Sequence, residues 1–216
     1  LGRYGVTIGV VIQARMGSSR LPGKVLRPIA GHVLLDHVIG RLQNLRTPVA
    51  VVVATSTEPG DDLVAAHCKG IVNCFRGSEL DVLDRYVSCA QANRFDHVVR
   101  LTADNPFTDI EELDRLIELH LVEGYDYTHS FGELPIGVGA EIFTFSALLE
   151  SHLAGQAPNH REHVNEYIQE NPDLFRIGRL TAPARKKSPN LSLTVDTPVD
   201  YERACHLAEQ ARGGWL

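Results

Sequence analysis

The stretch Val6-Thr7-Ile8-Gly9-Val10-Val11-Ile12-Gln13-Ala14 runs straight into Arg15-Met16-Gly17-Ser18-Ser19-Arg20-Leu21-Pro22-Gly23-Lys24. Its first half is almost continuously apolar and rich in β-branched residues, the pattern of a strand buried on both faces of a parallel sheet. Its second half is polar and cationic, with a glycine near each end. A strand that empties into such a loop is the opening of an α/β fold, and ligands of open parallel sheets gather beyond the carboxyl ends of the strands, where this loop lies.

Working outward, His32 to Leu45 sets Val38, Ile39, Leu42 and Leu45 at helical spacing, and Pro48 to Ser56 reads as a second buried strand. The alternation predicts a helix near Asp61 to Cys68, a short strand Ile71 to Phe75, a helix Glu79 to Arg94 and a strand His97 to Thr102. Thr108-x-x-Glu111 has the form of a capping box opening a helix to about Glu123. From about residue 125 to 190 the rhythm breaks into shorter pieces around Gly132, Pro135, Gly137 and Gly139, with a helical stretch at His163 to Glu170 and a strand near Phe175. A further strand is expected at Leu191 to Val195, and Pro198 suits the first turn of a last helix reaching Ala211. The expectation is one α/β domain over 1–216, a mostly parallel Rossmann-like sheet flanked by helices, with residues 125–190 as an acceptor-site or dimerisation insertion.

At 216 residues the chain fits one α/β core, and neither its composition nor any apolar run suggests disorder or a membrane span. A net charge of −6 argues against a broad nucleic-acid footprint, so any phosphate site is local. Cys68, Cys74, Cys89 and Cys205 form no C-x-x-C pair, which points to a reducing cytoplasm. Leu1 to Gly5 lacks an initiating Met and a signal core, and reads as a trimmed terminus.

The loop Gln13 to Lys24 brings together Arg15, Arg20 and Lys24, the hydroxyls of Ser18 and Ser19, and Gly17 and Gly23. Glycine lets backbone N–H groups approach phosphate oxygens, Arg offers a planar fork of donors, and Lys adds a mobile point charge. It is not a Walker A loop, since five residues separate Gly17 from Gly23-Lys24 and Val25 stands where Ser or Thr would bind magnesium. An ordinary solvated βα loop is the plainer alternative. His160-Arg161-Glu162-His163 has the spacing of no zinc protease motif, and no G-x-S-x-G nucleophile elbow occurs.

Asp104 and Asp196 each follow an apolar run, with Pro two residues later. Two carboxylates beside a cationic loop suit a hard cation such as Mg²⁺, which takes oxygen ligands and substrate phosphates. For either alone, capping the next helix is the stronger reading; together with the loop, metal binding is favoured. As a pair without a metal they are expected to repel and strain the site. Asp200 fits either a supporting role or a helix-dipole partner.

The run Val11 to Leu26 resembles the signature of the spore-coat polysaccharide biosynthesis protein F type of cytidylyltransferases, relatives of the CMP-sialate and CMP-KDO synthetases. Phe75-Arg76-Gly77-Ser78-Glu79, Val82-Leu83-Asp84-Arg85-Tyr86, Arg100 to Pro106, Arg161-Glu162-His163-Val164 and Val195 to Asp200 extend the similarity over nearly the whole chain. The resemblance implies a GT-A type nucleotidyltransferase fold, CTP as donor, Mg²⁺ held by Asp104 and Asp196, a small sugar-like or acidic acceptor and a homodimer. By the same resemblance Arg15 and Lys24 hold the triphosphate with help from Gly17, Ser18, Ser19 and Arg20, while Ala14 and Arg76 lie near base and ribose. Arg85 and Arg100 serve phosphate or acceptor carboxylate, or else structural salt bridges. Two rivals stand beside this reading. A GT-A glycosyltransferase would carry D-x-D where this chain has Asp104-Asn105-Pro106, and a non-catalytic nucleotide-binding module would have the fold without turnover.

Overall fold

The computed structural model describes residues 5 to 210. Strand β1 (Ile8–Gln13) lies mid-sheet with Val10, Val11 and Ile12 fully buried, so each contributes roughly 1.5–3 kcal/mol of apolar burial. Two short antiparallel strands follow, β2 (Pro28–Ile29) and β3 (His32–Val33), turned by Ala30 and Gly31 at φ 47° and 88°. Then come α1 (Leu34–Arg41), β4 (Ala50–Ser56), α2 (Asp62–Cys68), β5 (Asn73–Gly77), α3 (Val82–Asn93), β6 (His97–Thr102) and α4 (Ile110–Glu123). The later half supplies β7 (Tyr127–His129), β8 (Glu141–Thr144), α5 (Phe145–Ala154), α6 (Pro158–Glu162), α7 (Glu166–Glu170), β9 (Ile177–Arg179) and α8 (Pro198–Gln210).

Seven strands form one sheet in the order β5-β4-β1-β6-β8-β7-β9. All neighbours pair parallel except β8, which runs antiparallel to both β6 and β7. The chain leaves β1 toward β4 and β5, then returns to β6 on the other side of β1. The carboxyl ends of β1 and β6 therefore flank a topological switch point, the usual place for a ligand crevice. One face is covered by α1, α2 and α4 through Leu35, Val38, Val64, Leu113, Leu116 and Ile117. The other is covered by α3, α5 and α7 through Leu83, Tyr86, Ala147, Leu148 and Ile168. A third cluster joins Leu21 of the first loop, Ile29, Leu34, Val195 and the α8 residues Ala204 and Ala208. It pins the carboxyl-terminal segment to the loop after β1.

Several local expectations change. Helix α4 is capped by Asp109, whose carboxylate accepts from Glu112 N at 3.1 Å, whereas Thr108 donates its hydroxyl to Asn105 O; in place of the capping box read at Thr108 and Glu111, a one-sided cap forms one residue later, and Asp109 N donates to Val138 O. Leu191 to Val195 is no regular strand. It docks through one bridge, Ile136 to Ser192, and through Leu193 N to Ile136 O, because its apolar side chains meet a loop instead of the sheet. Residues 125–190 contribute β7, β8 and β9 to the main sheet. Ala211, the expected end of the last helix, lies outside the described residues.

Candidate functional site at the carboxyl edge of the sheet

The loop after β1 is shaped by its own backbone. Gly23 takes φ 68°, which an L side chain adopts only with strain, and its N–H returns to Met16 O at 3.0 Å. Ser18 Oγ accepts from Leu21 N at 3.3 Å, and Leu21 is buried against α8 and α1. This turn delivers Lys24 inward: only 8% of it is exposed, an unusual place for a lysine without a partner. The partners are Asp104 Oδ2 at 2.7 Å and Asp196 Oδ1 at 2.6 Å. Burial alone would lower the Lys24 pKa, but the charge of Asp104 and hydrogen bonds to both carboxylates outweigh it and hold the pKa above the usual lysine value.

The two aspartates arrive by different routes. Asp104 lies in the turn after β6, one residue beyond Ala103; Thr102 at the strand end donates its hydroxyl to Asp104 Oδ1, and Asn105 Nδ2 holds Thr102 Oγ1 at 2.9 Å. Asp196 precedes α8, and Val195 N donates to Asp104 O at 2.8 Å, so the two segments are stitched together beside the carboxylates. Asp200 accepts from the N–H groups of Asp196 and Thr197 at 3.2 and 2.9 Å, which fixes the turn bearing Asp196. Arg20 completes the set at 2.9 Å from Asp196 Oδ2. Gly137 closes the floor at φ 86°: a Cβ there would lie 2.7 Å from Thr194 N and 2.9 Å from Asn105 Oδ1.

The expected repulsion between Asp104 and Asp196 is therefore relieved within the protein, because an ammonium sits between them. As a donor set, two carboxylates already gathered around one cation suit a hard divalent ion.

The other expected residues fall into two groups. Arg15 is partly exposed and donates to Glu79 O at 3.0 Å, while Gly17, Ser19 and Arg20 are exposed on the loop. Ala14 extends the ladder through Ala14 N to Ala54 O and is buried. Arg76 ties the ends of β4 and β5 to α2, donating to Ser56 O at 2.9 Å and Glu58 O at 3.0 Å and pairing with Asp62 at 2.6 Å. Arg85 and Arg100 lie lower, on the α3 face. Arg85 is fully buried and donates to Ser78 O at 2.6 Å, among the described residues no carboxylate forms an ion pair with it, and burial lowers its pKa. Arg100 pairs with buried Glu141 at 2.5 Å, and Glu141 also accepts from Tyr127 and Asn165, the structural arrangement weighed for it.

Two contributors escape sequence reading. Asp61, 4% exposed, accepts from Met16 N at 2.6 Å and from Ser56 N at 3.2 Å, tying the first loop to the end of β4. The one local signal is Ser56 at the end of β4, whose hydroxyl donates to Asp61; the tie to Met16 N, 45 residues away, has none. Thr102 orients Asp104, and its signal is a hydroxyl at the last strand position before the carboxylate. A second acidic group, Asp109, Glu111 and Glu112, surrounds Lys186 at 2.7 to 3.1 Å at the start of α4.

A cationic glycine loop facing two carboxylates across the switch point of a mostly parallel sheet defines an α/β nucleotide-handling enzyme. Residues 9–214 match the model of the cytidylyltransferase family, and the chain belongs to it. It is 41% identical over 207 residues to the spore coat polysaccharide biosynthesis protein SpsF of Bacillus subtilis (strain 168), covering 93% of this chain and 86% of that protein. A solved cytidylyltransferase from Leptospira borgpetersenii superposes with a TM-score of 0.89 at 33% identity, over 95% of this chain and 87% of the other. A CMP:2-keto-3-deoxy-manno-octonic acid synthetase solved with CTP shares the fold, with a TM-score of 0.72 at 20% identity over 95% and 99% of the chains. Among the described residues no helix is long and apolar enough to cross a membrane.

Proposed function

We propose that this chain transfers CMP from CTP to a small sugar acid or related acceptor and releases pyrophosphate, in the synthesis of a surface polysaccharide or other glycan. One observation carries the reading. The triphosphate-suited loop after β1 meets the Asp104–Asp196 pair, with Lys24 bridging both carboxylates and Arg20 reaching Asp196. The relationship to SpsF supports the polysaccharide context.

In this reading an acceptor oxygen attacks the α-phosphorus in line, the bond from that phosphorus to the bridging oxygen breaks, and the acceptor proton passes to solvent. Arg15, Arg20 and Lys24 bind the triphosphate, with the N–H groups near Gly17 and the hydroxyls of Ser18 and Ser19 assisting. Asp61 and Gly23 hold that loop in shape, and Thr102 and Asp200 keep the carboxylates aimed. Ala14 and Arg76 border the base and ribose. A divalent cation such as Mg²⁺, held by Asp104 and Asp196, offsets charge on the phosphate oxygens when bound. Residues 125–190 border the acceptor or a dimer contact, and the enzyme works in the cytoplasm as a homodimer. Pro106 stands where the second Asp of a D-x-D motif beginning at Asp104 would fall, which disfavours glycosyl transfer from a sugar nucleotide.

Pyrophosphate release with CTP, UTP, ATP and GTP against a panel of sugar acids, neutral sugars and phosphonates tests the assignment. CTP with one acidic acceptor is expected to exceed the other nucleotides by at least about tenfold. Faster turnover of a purine nucleotide, or no turnover with any acceptor, overturns it.

A further inference from the structure

Each of the four oxygens of Asp104 and Asp196 is already engaged by the protein itself. Asp104 Oδ1 accepts from Thr102 Oγ1 and Oδ2 from Lys24 at 2.7 Å. Asp196 Oδ1 accepts from Lys24 at 2.6 Å and Oδ2 from Arg20 at 2.9 Å. Two aspartates, one lysine and one arginine sum to zero charge. We propose that Lys24 is an internal plug of the divalent-cation site, so that a metal enters only when a nucleotide triphosphate draws the lysine away. The proposal rests on the reading that this site takes a triphosphate with a divalent cation, and adds how the two are coupled.

The physical case is one of geometry and charge. An oxygen-bound Mg²⁺ sits about 2.0–2.1 Å from its ligands. An ion held by both carboxylates would have to share the space between Asp104 and Asp196 with the Lys24 ammonium, which already lies within 2.7 Å of each. Adding a dication to a site that is already neutral sets four positive charges, counting Lys24 and Arg20, against two negative ones, and displaces a buried ammonium whose side-chain partners among the described residues are these two carboxylates. A triphosphate changes that balance, because it supplies acceptor oxygens for Lys24 and Arg20 as the metal takes their former carboxylate oxygens. The lysine side chain is long and flexible enough to swing between the two sets of oxygens without moving the backbone. Gly23 and the Met16 carbonyl hold the backbone at its base. Arg20, with 63% of its side chain exposed, is free to follow. The same four side chains thus serve either as a closed, metal-free cluster or as an open, metal-bound one, and linkage requires nucleotide and metal to strengthen each other's binding equally.

The test is Mn²⁺ binding followed by electron paramagnetic resonance, with no acceptor present. Wild-type protein is expected to bind Mn²⁺ at least about tenfold more weakly alone than with α,β-methylene-CTP. Lys24→Met keeps the length and removes the charge; it is expected to bind Mn²⁺ without nucleotide at least about tenfold more tightly than wild type, and to lose most of the nucleotide effect. Lys24→Gln should behave likewise, which guards against a folding defect in one variant, and Asp104→Asn placed on Lys24→Met should abolish the gained site, excluding the acidic cluster around Lys186. Equal Mn²⁺ affinity in Lys24→Met, Lys24→Gln and wild type without nucleotide overturns the plug. The nucleotide-free arms hold whether or not CTP is the true substrate. Failure of the nucleotide reading would instead show as gained metal binding in the variants with no response of wild type to the CTP analogue.

Discussion

Two lysines of this chain sit among carboxylates, and their settings differ in every respect but chemistry. Lys24 joins Asp104 and Asp196 at the carboxyl edge of β1 and β6, carboxylates 80 and 172 residues away in the chain. Lys186 joins Asp109, Glu111 and Glu112, which are consecutive or nearly so and open α4. The second cluster is a staple. Its acids lie in the first turn of a helix, where the dipole favours them, and Glu112 is held again by Arg115 at 2.5 Å. The first cluster borders a glycine loop and a topological switch point, and its two carboxylates come from separate segments, one after β6 and one before α8. Ion-pair counting cannot tell the two apart; the element that delivers each carboxylate can.

The contrast breaks most sharply on turnover. Asp104→Asn should lower kcat/KM for CMP transfer by about 10²-fold or more, the scale seen when one charge-stabilising group is removed from an active site. Asp109→Asn, which preserves a good helix cap, should leave it within about twofold. Steady-state pyrophosphate release measures both. Equal losses in the two variants would mean that the clusters do not differ in function.

Binding separates them next. Lys24→Met should weaken CTP by roughly 1.5–3 kcal/mol, or about tenfold to more than a hundredfold, and CMP far less, since CMP lacks the β and γ phosphates. Titration calorimetry without metal reads the lysine alone. If both nucleotides weaken alike, Lys24 acts on the fold or on the base.

How much of this was legible beforehand follows from what each feature depends on. Strand β6 matches the expected His97 to Thr102, because an apolar run ended by Asp-Asn-Pro leaves no other boundary. The β2–β3 hairpin was not legible, since strands of two residues have no periodicity and its turn begins with an alanine at φ 47°. Leu191 to Val195 has the composition of a strand but docks against Ile136 in a loop, and composition does not reveal which surface receives it. At the site, the cations and the two aspartates were readable as residue types suited to phosphate and metal. That Lys24 bridges both carboxylates was not, because the contact depends on α8 packing onto Leu21 and Leu34, a tertiary fact with no local signal.

On stability the order reverses, and the staple becomes the sensitive cluster. Lys186→Met leaves Glu112, 2% exposed, with Arg115 as its ion-pair partner among the described residues, and removes the ammonium 2.9 Å from Asp109. The expected loss is about 1–3 kcal/mol, or several degrees in Tm for a chain of this size. Thermal melts with activity measured in parallel would show a lower Tm and unchanged turnover; a stable variant would remove the staple from the comparison.

A third buried polar group, at the opposite end of β6, is hydrogen-bonded through neutral side chains and sharpens the comparison through pH. His97 Nδ1 and His120 Nε2 lie 3.0 Å apart, and His120 Nδ1 lies 2.9 Å from Thr128 Oγ1. Burial, with a smaller contribution from His97, pulls the His120 pKa down to about 3, and burial also lowers His97 despite the nearby charge of Asp96. In the unfolded chain His120 returns to about 6.5. Above that value both states are neutral and the group has no effect on stability. As pH falls from 6.5 toward 3, the unfolded chain takes up a proton that the folded chain refuses, so stability falls, at a slope approaching about 1.4 kcal/mol per pH unit. Between pH 6.5 and 5.5 His120 alone accounts for about 1 kcal/mol. Lys24 and Lys186, both with raised pKa values, stay protonated throughout this window and do not contribute to the slope. His37 and His129 are also lowered by burial and add their own slope, so the comparison must be made between variants. Urea unfolding of wild type and His120→Asn at pH 6.5, 6.0 and 5.5 should give a shallower loss in the variant, which keeps a hydrogen-bonding side chain but cannot titrate. Identical slopes would mean that the histidine pair already shares a proton in the folded state, and that this cluster, like the two lysine clusters, is built around a cation.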